Sequence, residues 1–382
     1  MKHTKLITGG LAALASAALV VGSSLPAHAE PVRPYAAAGS DTTQDVWNGL
    51  TNDGGPLSSI ANYDAFDGSG VANDNQLIKT KTAGVWLVRP SGSGNGVRAL
   101  SGAWDPANRV WKGKQLLNEE IDFARSSSGP SGANADLNYI PFARDAVSIA
   151  YNTTTGLTNL NLTTGQIKEL YTGVDDEADS VVTFSGGLPL VNGTAVQPKI
   201  PQQGSGTRSF FISAAGLTGL ALGSYISDPA GAAGLPENSV AAIPNGGDLI
   251  PFSAAQWIGQ NNGASNATGS FANAALASIN GQVPTNGTAP NLTPGALFGA
   301  RVGTSYNTVP VPGAGTFNRD TYNVIPAAFR SGTATAKQAN LVSSLTGGLN
   351  GSAAKTIINR YGFGTLGYLT TPSTYRTGSF QH

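Results

Sequence analysis

Strand-like runs alternating with helix starts predict an α/β fold with parallel sheets, divided into two lobes. Three observations carry that prediction. Apolar, β-rich runs such as 146–151 recur between stretches of helical spacing such as 163–173. Glycine takes 50 positions and charged residues only 12%, so the elements should be short and punctuated by turns. The chain has 382 residues, enough for two domains of ordinary size.

The elements follow in order. "DTTQDVWNGL" (41–50) reads as a helix start with Asp41 or Thr42 as its cap. "AGVWLVRPSGSGNGVRALSG" (83–102) reads as a strand over 85–89, a glycine-serine turn and a second helix. "EIDFARSSSGPSG" (120–132) is a short strand ending in a small-residue loop, and "YIPFARDAVSIAYN" (139–152) holds a buried strand over 146–151. "TTGQIKELYTG" (163–173) is a Thr-led helix with Ile167 and Leu170 on one face, stopped by Gly173. "PKIPQQGSGTRSFFISAAGL" (198–217) repeats the strand, turn and helix pattern. Residues 259–315, rich in Asn, Gly, Ala, Thr and Pro, read as surface elaboration without regular structure. "RDTYNVIPAAF" (319–329) resumes strand character, and "TAKQANLVSSL" (335–345) is a helix with Ala339, Val342 and Leu345 at helical spacing.

The first residues read as an export signal. Lys2 and Lys5 precede an apolar run over 11–21, and "LPAHAE" sets Ala27 and Ala29 before a cut expected after Ala29. The run is shorter than the roughly 20 residues a membrane span needs. No cysteine follows it, so a lipid anchor is not expected, and a secreted or periplasmic protein is. Lys2 and Lys5 leave with the signal, so 20 of the 22 Lys and Arg remain against 22 Asp and Glu. That balance offers nothing to a nucleic acid or an anionic membrane.

The counts also exclude chemistry. The chain has no cysteine, hence no disulfide, thiolate nucleophile or thiolate metal site. Its three histidines are His3, His28 and His382, two in the signal and one at the last position. A Ser-His-Asp triad and an ordinary zinc site are therefore not expected, and a binder is favoured over an enzyme. The acidic run 175–179 follows a helix stop and reads as a solvated loop rather than a calcium site, and no cofactor or metal is expected.

Three turns share one design: "GSDTTQ" (39–44), "SGSGNG" (91–96) and "GSGTR" (204–208) each set hydroxyls and glycines at a helix start. A helix N-terminus has unpaired N–H groups and partial positive charge, and glycine lets backbone approach a ligand closely. Such a turn suits a tetrahedral oxyanion. One such turn is ordinary capping; three in one chain without His or Cys chemistry suggest an anion clamp.

The order GSDTT, SGSGNGV, IDFARSS, PFARDAVSIAYN, TTGQIKELYTG and QQGSGTRSFF resembles the phosphate-binding protein of the phosphate ABC transporter, as a divergent secreted relative. The correspondence runs from about residue 36 to 211 and continues more faintly through "NSVAAIPNGGDLIPF" and "RDTYNVIP", with "GSGTR" its most specific motif. The resemblance implies a two-lobed periplasmic-binding-protein-like (type II) fold with a hinge and an inter-lobe cleft. The signal would cover 1–29, lobe one 30–145, lobe two with its insertion 146–318, and the return to lobe one 319–382. Phosphate would meet Thr42, Thr43, Ser93, Ser127, Ser205, Gly206 and Thr207. The function implied is capture of phosphate or a related oxyanion by lobe closure, by a monomer serving an ABC permease.

Two positions depart from the family pattern. The aspartate that accepts the proton of phosphate is replaced by Ser127, and the arginine before the GSGT motif by Pro201. Arg125 and Arg208 are the candidate substitutes for the missing charge, and Asp41 is a possible proton acceptor. These departures keep an alternative open: a secreted structural or adhesive protein on the same scaffold that has lost tight anion binding.

Overall fold

The computed structural model describes residues 32–382 except 53, 67–74, 178, 230–233 and 267–268. The expected signal and its cleavage after Ala29 lie outside the described residues. Among the described residues no helix is long and apolar enough to cross a membrane.

A mixed sheet of nine strands forms the centre of the α/β fold. Its members are β1 (Tyr35–Gly39), β2 (Ile60–Asn62), β3 (Phe123–Ser126), β4 (Leu137–Asn152), β5 (Gln197–Pro198), β6 (Asp248–Ser253), β7 (Ala274–Leu276), β8 (Asn318–Pro326) and β9 (Arg376–Gly378). The main path runs β5-β6-β4-β8-β3-β1-β2, with β7 and β9 also pairing to β4. The pairs β1–β2, β1–β3 and β5–β6 are parallel, as the alternating pattern predicts. Every pair made by β4 or β8 is antiparallel. Packed around the sheet are α1 (Gln44–Thr51), α2 (Ser93–Trp104), α3 (Thr164–Thr172), α4 (Gly206–Ala214), α5 (Ala254–Asn261), α6 (Ala336–Ser343) and α7 (Ser352–Arg360).

Both faces of the central strands are covered: β1, β3, β4 and β6 are buried along their whole length, polar residues included. On β3, Phe123 stacks on Trp47 of α1 at 4.9 Å between ring centroids, while Ala124 belongs to the separate cluster that includes Leu100 of α2. The α3 boundaries follow from its ends. Thr163 and Gln166 form a reciprocal capping box, and Gly173 closes the helix in the left-handed region at φ 80°.

Strand β4 is the spine: 16 residues, all buried. Its first part pairs with β8 and β9 and its last part with β6 and β7. At the changeover two Arg-Asp dipeptides meet head to tail, Arg144 opposite Asp320 and Asp145 opposite Arg319. Antiparallel pairing thus gives each arginine the other strand's aspartate, at 2.9 Å for Arg144–Asp320 and 2.8 Å for Arg319–Asp145. Neighbouring strand residues point to opposite faces, so the two ion pairs lie on opposite sides of the sheet.

The structure departs from the sequence reading in the sheet, which is mixed rather than parallel, and in β4, which runs over Leu137–Asn152 where only 146–151 was expected. The strand expected over 85–89 is only Leu87–Val88, paired with Leu77–Ile78 outside the main sheet; Pro90 ends it at once. The 259–315 segment is more than surface elaboration: Ala274–Leu276 joins β4 as β7, and Leu297 and Phe298 are buried. Helix α7, which buries Ala354 and Ile358 at i, i+4 spacing, was not among the expected elements.

Candidate functional site

The three hydroxyl-rich turns converge. Strand β1 ends at Gly39, whose φ of +125° suits glycine, and a Cβ there would lie 2.6 Å from the Arg125 carbonyl oxygen and 3.1 Å from Gly96 Cα. This close approach sets the 40–43 turn beside the first turn of α2. The Ser40 hydroxyl donates to Ser127 Oγ at 3.2 Å, the Ser93 and Ser127 hydroxyls are 3.1 Å apart, and Ser127 N–H donates to Ser93 Oγ at 2.9 Å. Helix α4 arrives from the other side, where Gly94 N–H donates to the Gly204 carbonyl at 3.2 Å. A Cβ on Gly206 would run into the Ser93 and Ser127 hydroxyls, so only glycine lets α4 start this close. Thr42 Oγ1 lies 3.3 Å from Ser127 Oγ and 3.4 Å from Thr207 Oγ1.

At the centre of these donors sits a carboxylate. Glu237, fully buried, accepts from the Thr42 hydroxyl on one oxygen and from the Ser205 hydroxyl and the Thr207 N–H, at 3.0 Å, on the other. The Ser205 oxygen also caps α4 by accepting from Arg208 N–H at 2.9 Å. Behind the hydroxyls stands Arg319, which donates to Thr207 Oγ1 at 2.8 Å and to the Ser127 carbonyl at 2.9 Å. Because Thr207 Oγ1 accepts from Arg319, its own proton is left for Thr42, and that of Thr42 for Glu237. This chain of donors carries the guanidinium's polarity to the seat.

Asp41 completes the seat. Its Oδ1 accepts from Thr42 N–H at 3.1 Å, while Oδ2 meets no donor. Burial first, and then the charge of Glu237, raise its pKa well above the usual carboxylate range. Burial also pushes Glu237 upward, but hydrogen bonds from Asp41, the Arg319 charge and the Ser205 and Thr42 hydroxyls outweigh it and hold Glu237 low. The two buried acids are thus pushed apart, Asp41 toward its neutral form and Glu237 toward its ionised form. Asp41, put forward from the sequence as a proton acceptor, stands beside a second buried acid, Glu237.

The remaining sequence candidates lie elsewhere. The Thr43 hydroxyl is buried without a partner, while its carbonyl accepts from Trp47 N–H at 3.2 Å as α1 begins. Arg125 is fully buried and donates to Asn62 and to backbone carbonyls, including Tyr63 at 2.8 Å and Ser40 at 3.2 Å, so it braces the turn behind the seat. Arg208 forks onto Asp228 at 2.5 and 2.8 Å and donates to the Pro201 carbonyl at 2.9 Å. Neither guanidinium reaches the hydroxyl cluster through these bonds. The cation that does is Arg319, and the acid that does is Glu237; neither was expected in the site. The available signals were the second Arg-Asp dipeptide, in "NRDTYN", and the single acid of the 229–247 stretch, in "LPENSV".

The donors come from both parts of the chain. Gln256 of α5 reaches the Thr42 carbonyl at 2.5 Å, and Asp145 accepts from Ser253 Oγ at 2.9 Å and Ala255 N–H at 3.1 Å while holding Arg319. A cavity of about 1090 Å³ flanks the seat, with Ser127, Arg319, Arg98, Arg376, Phe210 and Tyr322 among its walls.

No protein-family model matches the chain, and no curated protein matches it. Solved structures similar to it include proteins described as phosphate-binding. An ABC-type phosphate transport receptor from Vibrio cholerae is 15% identical over 86% of this chain and 98% of its own, with a TM-score of 0.46. A high affinity periplasmic phosphate-binding protein, PfluDING, bound with phosphate, is 15% identical over 87% of this chain and 90% of its own, with a TM-score of 0.48. A phosphate-binding protein from Stenotrophomonas maltophilia is 12% identical over 87% and 90%, with a TM-score of 0.45.

Proposed function

We propose that the chain is an exported solute-binding protein that captures phosphate or a related tetrahedral oxyanion in the seat between α1, α2 and α4. The reading rests on one observation above all: two hydroxyls and one backbone N–H, from the turn before α1 and the start of α4, converge on a single carboxylate. A site that holds one oxyanion with neutral donors and a rear guanidinium has the chemistry to hold another. Its binding residues are Thr42, Ser93, Ser127, Ser205, Gly206 and Thr207, with Arg319 as the cation and Asp41 as the proton-bearing acid.

In this reading residues 30–145 and 319–382 form one lobe and 146–318 the other, with β4 and β8 crossing between them. Capture consists of closing the lobes on the anion, after which an ABC permease receives it. The donors at the seat are spent on holding an anion in place, which suits binding rather than turnover.

A second reading is favoured by Glu237 itself. If its carboxylate never leaves, the protein keeps the scaffold as a secreted structural or adhesive molecule without tight anion binding. Titration calorimetry of the chain from residue 30 with phosphate, arsenate and sulfate separates the two. Submicromolar phosphate binding, tighter than sulfate, is the expected result; no heat with any oxyanion refutes the first reading.

A further inference from the structure

We propose that Glu237 is an internal ligand of the seat: the chain's own carboxylate fills the oxyanion position, and an incoming phosphate has to displace it. This rests on the reading of the seat as the place where the oxyanion is taken. Both Glu237 oxygens lie on donors that a tetrahedral anion would use, one on Thr42 and one on Ser205 and Thr207. The hydroxyls around it are 3.1 to 3.4 Å apart, which leaves no room for a second anion. Electrostatics points the same way. The positive charge of Arg319 is already matched by Asp145, so a second anion beside the buried Glu237 would face repulsion with no further cation to offset it.

The segment that carries Glu237 is tied down on both sides. Gln202 N–H donates to the Leu235 carbonyl at 2.8 Å, and Gln260 donates to the Asn238 carbonyl at 2.7 Å. A carboxylate so anchored competes as an intramolecular group, at an effective concentration far above that of most free anions in solution. Glu237 thereby sets a threshold. A singly charged carboxylate gains nothing by exchanging with it, whereas a doubly charged tetrahedral ion brings more charge and more acceptor oxygens to the same donors. The competitor is then a specificity-determining residue.

Two variants of the full chain test this. Glu237→Gln keeps the shape and removes the charge, and Glu237→Ala empties the seat. Calorimetry should show phosphate binding at least tenfold tighter to E237Q than to the wild type. The melting temperature of E237A should fall, and millimolar acetate or phosphate should restore it, while acetate leaves the wild type unmoved. Weaker phosphate binding by E237Q overturns the proposal, since Glu237 would then be a partner of the bound ion. Failure of every oxyanion to restore E237A also overturns it, and if E237A does not fold, the E237Q comparison decides. Should phosphate bind neither wild type nor E237Q while acetate restores E237A, the internal ligand stands and the phosphate reading falls.

Discussion

The two Arg-Asp pairs at the strand crossing offer a test with a built-in control, because only one of them faces the seat. Arg319→Met removes two hydrogen bonds to Asp145, at 2.8 and 3.0 Å, and those to Thr207 and the Ser127 carbonyl. Breaking a buried ion pair costs roughly 3–5 kcal/mol, because the abandoned charge stays buried. Asp145 keeps its donors from Ser253 and Ala255, which places the expected loss near the lower end, about 3 kcal/mol. Arg144→Met should cost a similar amount, since Asp320 keeps the Tyr368 hydroxyl at 2.5 Å. Urea denaturation reads both as a fall in midpoint with an unchanged slope. Phosphate binding distinguishes them. Loss of the charge-assisted hydrogen bond that polarises Thr207 should weaken phosphate binding by about 1.5–3 kcal/mol, or roughly 10- to 150-fold in Kd, for R319M, and R144M should stay within about twofold of the wild type. The reasoning fails if R319M costs under about 1 kcal/mol in stability, or if R144M weakens phosphate binding as much as R319M does.

Two further outcomes follow from the same geometry. Gly206→Ala drives a Cβ into the Ser93 and Ser127 hydroxyls, so it should cost about 1–3 kcal/mol by urea denaturation and remove measurable phosphate binding; an unchanged affinity would show that the close start of α4 is dispensable. Asp45, on α1, has its pKa pushed up to about 6, by burial first and then by the charge of Asp64. An acid with a raised folded-state pKa favours folding when protonated, so that stability is present below its unfolded pKa of about 4 and lost as pH rises toward 6. The residue is half-buried, which reduces the full linkage to about 1–2 kcal/mol. Asp45→Asn should therefore gain that much over the wild type above pH 7 and nothing near pH 4, and parallel stability curves for the two proteins would remove Asp45 as the cause.

The alternation of apolar runs with capped helix starts announced the architecture, because local signals suffice there. The Thr163–Gln166 capping box, Gly173 in the left-handed region and the apolar stretch of β4 are each written in adjacent residues. The three glycine-serine turns were legible for the same reason. What joins them was not. That Gly39 and Gly96 are small so that two backbones can meet, and Gly206 so that α4 can start against the Ser93 and Ser127 hydroxyls, is a statement about residues far apart in sequence. Strand β7 hid in a segment whose composition suggests a loop, since a three-residue strand stands on its pairing with β4 more than on its own propensity.

Arg125 and Arg208 stand close to the motifs in sequence, but each spends its guanidinium on bracing the scaffold, Arg125 on the carbonyls of Ser40 and Tyr63 in neighbouring segments and Arg208 on Asp228. Charge at the seat comes from a strand crossing instead, and that changes the physics. An arginine on a loop serves the ligand alone, whereas Arg319 is half of a cross-strand pair in the spine of the fold. Its positive charge cannot be withdrawn from the seat without leaving Asp145 unpaired, so the electrostatic character of the seat is tied to global stability. The acids respond to that fixed charge. With Asp145 holding Arg319, the seat has place for one anion, and Glu237 takes it. An oxyanion that replaces Glu237 inherits the same donors and the same charge, so its affinity is the difference between two occupants of one place rather than the sum of its contacts.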